Sequence, residues 1–220
     1  MSSDLQSRLF DDPHQPVRCE RLGEQTFVLR GFALPWQEQI LPALRGVLKA
    51  APFRRMLTPG GHTMSVALSN CGHLGWSSDV RGYRYVTEDP LTGQPWPALP
   101  EVLRTLAREA AAAGGFEDFN ADACLLNRYV PGAKMSLHQD RDERDYSAPI
   151  VSVSLGLAAM FQLGGLQRSE RPARVPLLHG DVMVWGGVDR LRFHGVLPLK
   201  EGVHPVMGPQ RINFTLRKAG

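Results

Sequence analysis

Hydrophobic residues recur at two different periods along this chain, and the change of period divides it. Between residues 36 and 50, Trp36, Ile40, Leu41, Leu44, Val47 and Leu48 fall at helical spacing. Pro42 inside that run predicts a kink or a later start. A second helix is expected over 100–113, with Pro100 in the first turn, Val102, Leu103, Leu106 and Ala110 on one face, and Gly114-Gly115 as its stop. From Ala123 onward the runs shorten and fill with Val, Leu, Ile and Phe between Gly, Pro and Asp, which reads as strands joined by turns. The expected strands are 123–130, 134–138, 150–157, 159–163, 174–178, 181–185, 192–198 and 211–217. Short strands in this number, preceded by two helices, predict a mainly β protein with flanking helices, a double-stranded β-helix or jelly roll. Residues 52–97 have little periodicity and are dense in Gly, Pro, Ser, Asn and aromatic residues, as a binding lid would be.

With 220 residues, one core can bury most of the apolar surface, so a single domain over 1–220 is expected. Its helices and lid occupy 1–117 and its jelly-roll core 118–220. A content of 43% hydrophobic and 21% charged residues excludes general disorder. The opening MSSDLQSRLFDDPHQP has acids and prolines where a leader needs apolar or basic sequence, and no run approaches the roughly 18 apolar residues of a membrane span. A cytoplasmic protein with no membrane partner is the expectation. Cys19, Cys71 and Cys124 are widely and irregularly spaced and read as reduced thiols. A net charge of +3 permits a polyanionic partner without requiring one.

In SLHQD, His138 and Asp140 are two residues apart, so on an extended strand both face the same way and can reach one ion. His194, in RFHGV, lies in a later expected strand, and Gly195 beside it allows close backbone approach. Two imidazoles and one carboxylate make a facial triad that leaves positions open on iron(II), whereas a structural zinc site would need a fourth protein ligand. H-x-D alone is a weak signal, and two polar residues at a strand end are its more ordinary explanation. His14, His62, His73, His179 and His204 fall in segments that read as turns or loops.

RINFTLR at 211–217 adds a stronger pattern. Arg211, Asn213, Thr215 and Arg217 alternate with Ile212, Phe214 and Leu216, so all four polar side chains share one face. If that face looks into the barrel, its arginines require an anion, because an unpaired buried guanidinium is costly. A dicarboxylate cosubstrate would provide one.

Together with TPGGHTMSVA, CGHLGW, PWPA, LLNRYVPGAKMSLHQDRDE, IVSVSLGL, FQLGGLQR and HGDVMVWGG, these blocks make the chain resemble the AlkB family over most of residues 52–217. That family consists of iron(II) and 2-oxoglutarate dependent nucleic-acid demethylases. The resemblance implies that His138, Asp140 and His194 hold Fe(II) as the catalytic metal. It implies further that Asn127, Tyr129, Arg211, Asn213 and Arg217 bind 2-oxoglutarate, with Arg211 forked onto its far carboxylate. O2 is the co-oxidant, and the N-terminal part becomes a nucleotide-recognition lid.

The family's usual bases, 1-methyladenine and 3-methylcytosine, are cationic. By the same resemblance Trp76 and Tyr83 line the base pocket, and a flipped base lies between Trp76 and the ring of His138. Asp142, taken to be on the same strand face as Asp140, accepts from the exocyclic amine, and Arg168 contacts a phosphate, with Lys134 and Thr58 as further candidates. Trp185, in VWGG, is expected to pack near the iron. The implied reaction is oxidative demethylation of alkylated DNA, with RNA as an alternative and single strands preferred, by a monomeric repair enzyme releasing formaldehyde, succinate and CO2. His62 stands where the family pattern has tyrosine, which leaves strand preference and binding strength open there. The rival readings are a dioxygenase of the same fold acting on a small molecule or a protein side chain, and a jelly roll that only binds.

Overall fold

A computed structural model describes residues 18–220. His14 and the segment MSSDLQSRLFDDPHQP lie outside the described residues. In chain order the elements are β1 (Arg18–Arg21), β2 (Thr26–Arg30), α1 (Gln37–Ala50), β3 (Ala67–Gly72), β4 (Gly75–Asp79), β5 (Gly82–Val86) and α2 (Glu101–Ala113). They continue with β6 (Ala123–Tyr129), β7 (Met135–His138), β8 (Ile150–Gly156), β9 (Ala159–Leu163), β10 (Ala173–Leu177), β11 (Val182–Trp185), β12 (His194–Val196) and β13 (Arg211–Arg217). All eight strands expected after Ala123 are present, with ends within two residues of the expected ones.

Seven strands in the order β1-β2-β11-β8-β13-β6-β3 form a major sheet, and four in the order β10-β9-β12-β7 form a minor one. Strands β4 and β5 make a separate hairpin. The central strands of the major sheet are buried on both faces, and period two sorts their residues. Val151, Val153 and Leu155 of β8 and Ile212, Phe214 and Leu216 of β13 meet the two helices in one apolar cluster. From the helices come Ile40, Leu44 and Val47 of α1 and Leu103, Leu106 and Ala110 of α2. The alternate residues of the same strands face the minor sheet, where Leu125, Ile150, Phe161, Met183 and Trp185 form a second cluster. The polar residues of RINFTLR are therefore placed between the sheets by the same alternation that buries Phe214 against the helices.

Two expectations need correction. Residues 52–97 are not wholly a lid, because β3 pairs with β6 from Ala67 opposite Arg128 to Gly72 opposite Ala123 and is buried throughout. A strand covered on both faces shows no polar alternation, so ALSNCG carried no strand period. The boundary at 117/118 also fails to follow the sheet, since β1, β2 and β3 all complete it from the N-terminal side. Pro42 does lie inside α1, on its exposed side, one turn after the exposed Glu38 to which it can donate no hydrogen bond. Pro100 caps α2 from just outside rather than entering its first turn.

The end of α2 and the approach of β7 to β12 each depend on a glycine. Gly115 has φ +83°, its N–H bonds Ala112 O, and the next N–H, of Phe116, bonds Ala111 O, a Schellman closure. At Gly195 the backbone is unstrained but crowded: a Cβ there would meet Met135 O at 2.7 Å and Leu137 N at 3.1 Å. The β7–β12 register slips between His194 and Val196 at this point, an irregularity that lets the two strands close in. Gly115→Ala is expected to cost about 1 kcal/mol through its left-handed φ alone. Gly195→Ala should cost more, about 1–3 kcal/mol, because backbone must move. Thermal unfolding of the two variants checks both the loss and its order.

Candidate active site

Between the sheets lies a cavity of about 870 Å3. Its floor is β13. Arg211 is 1% exposed and donates from Nη2 to Ser154 Oγ at 2.9 Å, while Nε and Nη1 have no partner among the described residues. Its guanidinium lies over the Tyr129 ring, 5.1 Å from the centroid. Burial pulls Arg211 below its ordinary pKa, the mark of a cation without an anion beside it. A carboxylate arriving at Nε and Nη1 would meet a fork ready to receive it. Asn127 also has an unpartnered atom, its buried Oδ1.

Asn213 is different. Its Nδ2 donates to Ser152 Oγ at 2.7 Å and Val153 O at 3.0 Å, and its Oδ1 accepts from Asn127 Nδ2 and Thr215 Oγ1. With donors and acceptor all engaged, Asn213 lines the cavity while bracing Asn127.

Above this floor stand the three candidate metal ligands. His138 and His194 are direct cross-strand partners on β7 and β12, with ring centroids 4.4 Å apart. Each imidazole bonds through Nδ1 to the carbonyl two residues before it, Ser136 O at 2.9 Å and Arg192 O at 3.0 Å. A carbonyl only accepts, so Nδ1 carries the proton and Nε2 presents a lone pair. Burial, with His138 nearby, pulls His194 down to about 4, which keeps it neutral at physiological pH. Asp140 approaches both Nε2 atoms, at 3.6 Å through Oδ1 and 3.7 Å through Oδ2, and the three ligand atoms all lie within 4.8 Å of one another. Trp185 packs edge-on against His194 and Phe161 stacks on it, at 5.1 and 5.8 Å between centroids. Two imidazoles and a carboxylate on one side of a cavity fit iron(II) and leave its remaining positions facing the cavity.

Asp140 is not on the strand, as β7 ends at His138. What holds it is charge. Arg217 Nη2 donates to Oδ2 at 2.6 Å and Nε to the same oxygen at 3.2 Å, and Arg217 Nε also faces Glu143 Oε1 at 3.3 Å. Burial alone would raise the carboxyl pKa, but Arg217 and the two imidazoles hold it well below the usual carboxylate range. Glu143 accepts from Tyr85 OH at 2.8 Å and from Arg190 Nη2 at 3.1 Å. Arg217 thus lines the cavity with its guanidinium already committed to two carboxylates.

The roof is the β4–β5 hairpin. Trp76 sits opposite Tyr85, and Tyr83, two residues from Tyr85 on the same face, stacks on Trp76 at 5.3 Å and 21°. Buried Asn70 clamps the Trp76 backbone through both amide atoms, and Trp76 Nε1 donates to Asp142 Oδ2 at 2.8 Å. Asp142, like Asp140, lies in the loop beyond β7 and not on a strand face, and the turn of the chain still brings it to the hairpin. Arg168 is an exposed loop residue whose guanidinium rests 5.8 Å from the Phe193 ring centroid. Thr58 and His62 share a turn at the rim, joined by Thr58 N–H to His62 O at 2.8 Å. Lys134 is exposed on the same rim.

Every residue singled out in the sequence as ligand, cosubstrate contact or base contact lines this one cavity. Sequence reasoning missed Tyr85, Glu143, Ser154 and Arg190. Glu143 sits in RDERD, a charge run that reads as surface, and nothing in its spacing distinguishes the one acid that turns inward.

The family described as the 2OG-Fe(II) oxygenase superfamily matches residues 25–217. The alpha-ketoglutarate-dependent dioxygenase AlkB of Escherichia coli (strain K12) is 54% identical over 201 residues, covering 91% of this chain and 93% of that protein. The human nucleic acid dioxygenase ALKBH1 is 41% identical over 125 residues, 55% of this chain and 32% of that one. The solved structure of OsALKBH1 superposes with a TM-score of 0.81 at 28% identity, covering 91% of this chain and all of that one. A cavity that pairs a two-histidine, one-carboxylate cluster with an unanswered buried arginine is what an iron and 2-oxoglutarate enzyme needs, and by the extent of these matches the chain belongs to the 2OG-Fe(II) oxygenase superfamily, within its AlkB-type dioxygenases.

Proposed function

We propose that this dioxygenase repairs alkylated nucleic acid, removing the N-methyl groups of 1-methyladenine and 3-methylcytosine from single-stranded DNA, with RNA as a second substrate, and works as a monomer. The observation that carries the reading is the stacked Trp76–Tyr83 pair with the Asp142 carboxylate bonded at its edge, over the cluster of His138, Asp140 and His194. A flat cationic ring is recognised by this combination: aromatic faces attract its charge, and a carboxylate accepts from its exocyclic amine. A small aliphatic substrate or a peptide side chain would leave the stacked pair without a purpose. The names of the bacterial and human relatives, a dioxygenase and a nucleic acid dioxygenase, agree with it.

In this reading His138 Nε2, Asp140 and His194 Nε2 hold iron(II), and Arg211 receives the far carboxylate of 2-oxoglutarate, with Tyr129 beneath it and Asn127 beside it. Iron and 2-oxoglutarate would supply the oxidation: one oxygen atom of O2 ends in succinate as 2-oxoglutarate loses CO2, the other ends in formaldehyde, and the base nitrogen regains its lone pair with release of a proton. The chain's own residues do the positioning. Trp76 and His138 sandwich the base, Asp142 orients its amine, and Phe161 and Trp185 keep water from the imidazole of His194. Arg217 keeps Asp140 ionised as a ligand and holds its carboxylate in place. Arg168 and Lys134, exposed at the rim, steady the phosphates on either side of the flipped nucleotide. Among the described residues no helix is long and apolar enough to cross a membrane.

Incubation with iron(II), 2-oxoglutarate and an oligonucleotide carrying 1-methyladenine should release formaldehyde and succinate in equal amounts. Release from methylated peptides or free amino acids, with none from any methylated oligonucleotide, would refute the assignment. Trp76→Ala should raise the oligonucleotide KM about 5- to 100-fold, the worth of one stacked base, and leave the 2-oxoglutarate KM unchanged. Arg211→Lys should do the reverse, weakening 2-oxoglutarate about 10-fold or more, since a lysine cannot reproduce the fork. An anaerobic titration of iron(II) and 2-oxoglutarate, followed by its charge-transfer absorption, measures that loss without turnover. His138→Ala should abolish the band.

A further inference from the structure

We infer that Arg190 is a positioning residue for the metal site, fixing the main chain at Asp140; this rests on reading His138, Asp140 and His194 as the ligands. The two imidazoles need no such help, because β7 and β12 pair directly and place them opposite each other. Asp140 lies past the end of that ladder, in a loop that runs without regular structure to β8. Its carboxylate is held by Arg217, but a side-chain contact alone leaves the backbone beneath it free to drift.

Arg190 supplies the missing restraint. It is 2% exposed and lies four residues ahead of His194 in the turn that follows β11. One guanidinium reaches three places on the Asp140 loop: Nη1 donates to Asp140 O at 2.7 Å, Nη2 to Glu143 Oε2 at 3.1 Å and Nε to Ala148 O at 3.2 Å. Its plane also stands over the Tyr146 ring, 5.5 Å from the centroid. The reverse contact, Gln139 Nε2 to Leu191 O at 2.6 Å, ties the same two segments again.

The turn that carries Arg190 is itself anchored. Asp189 accepts from Gln25 N and Thr26 Oγ1, both at 2.8 Å, which pins it to β2, and Arg192 Nε donates to Gly164 O at 2.6 Å. Arg190 therefore transmits the position of the segment leading into one ligand, His194, to the backbone of another, Asp140. Only a fork with donors in three directions does this, so lysine is not an equivalent.

A plainer role exists for Arg190, neutralising the buried Glu143, and the test separates the two. Arg190→Met/Glu143→Gln removes the charge pair together, and Arg190→Lys keeps the charge but loses the fork. Cobalt(II) titration of the purified protein without cosubstrate, followed by its d–d absorption, reports the site directly. Both variants, folded by thermal unfolding, should bind cobalt(II) about 10- to 100-fold more weakly than the parent, the usual scale for losing a support behind a ligand. Parental affinity in either folded variant would overturn the inference, since charge balance would then be enough. Failure of Arg190→Lys to fold would overturn it too, by assigning Arg190 to global stability. A parent chain that binds no cobalt(II) would instead refute the ligand assignment itself.

Discussion

The last strand carries two arginines into the space between the sheets, and the need to answer their charge organises everything around them. A guanidinium sealed from water is tolerable only beside anions. Arg217 finds two within the chain, Asp140 and Glu143. Arg211, six residues earlier on the same face, finds none among the described residues and keeps Nε and Nη1 without partners. One arginine thus braces the candidate metal site, and the other is left open to an anion.

The sheets make this asymmetry affordable. Phe214, Leu216 and Ile212 hold β13 against the helices, so the polar face cannot turn to solvent without exposing the core. Breaking a buried ion pair by removing one partner commonly costs about 3–5 kcal/mol, so Asp140 is held firmly even before a metal arrives. The same rigidity places both Nε2 lone pairs toward Asp140, with backbone carbonyls fixing each tautomer from behind. The hairpin above has fewer ties to the sheets, chiefly the Asn70 clamp and the contacts of Trp76 and Tyr85 with the loop after β7. Floor and roof meet in that loop, where Asp140 faces the metal, Asp142 the aromatic pair, and Glu143 the buried arginines.

The strands after Ala123 were legible because turns bound them and period two marks them, most clearly in RINFTLR. The strand β3 was not, because burial on both faces leaves no polar register to read. The metal triad was weak as spacing alone and gained weight only from the arginine strand and the family blocks. Its geometric premise also needed revision, since Asp140 and Asp142 reach the site from a loop rather than from one strand face.

The sequence by itself determined which residues alternate, which carry chemistry and which family they resemble, since those properties are local or lie in the order of motifs. It therefore determined the jelly roll and the His138, Asp140 and His194 cluster, and it singled out Arg211 as a cation that needs an anion. Tertiary structure alone decided that Arg217 would be engaged with Asp140 while Arg211 stays open, that Asn213 would brace its neighbour, and that Glu143 would turn inward to meet Arg190 and Tyr85. Those outcomes depend on which side chains meet across segments 47 to 86 residues apart, and the cost of burying a charge is settled only where such segments come together.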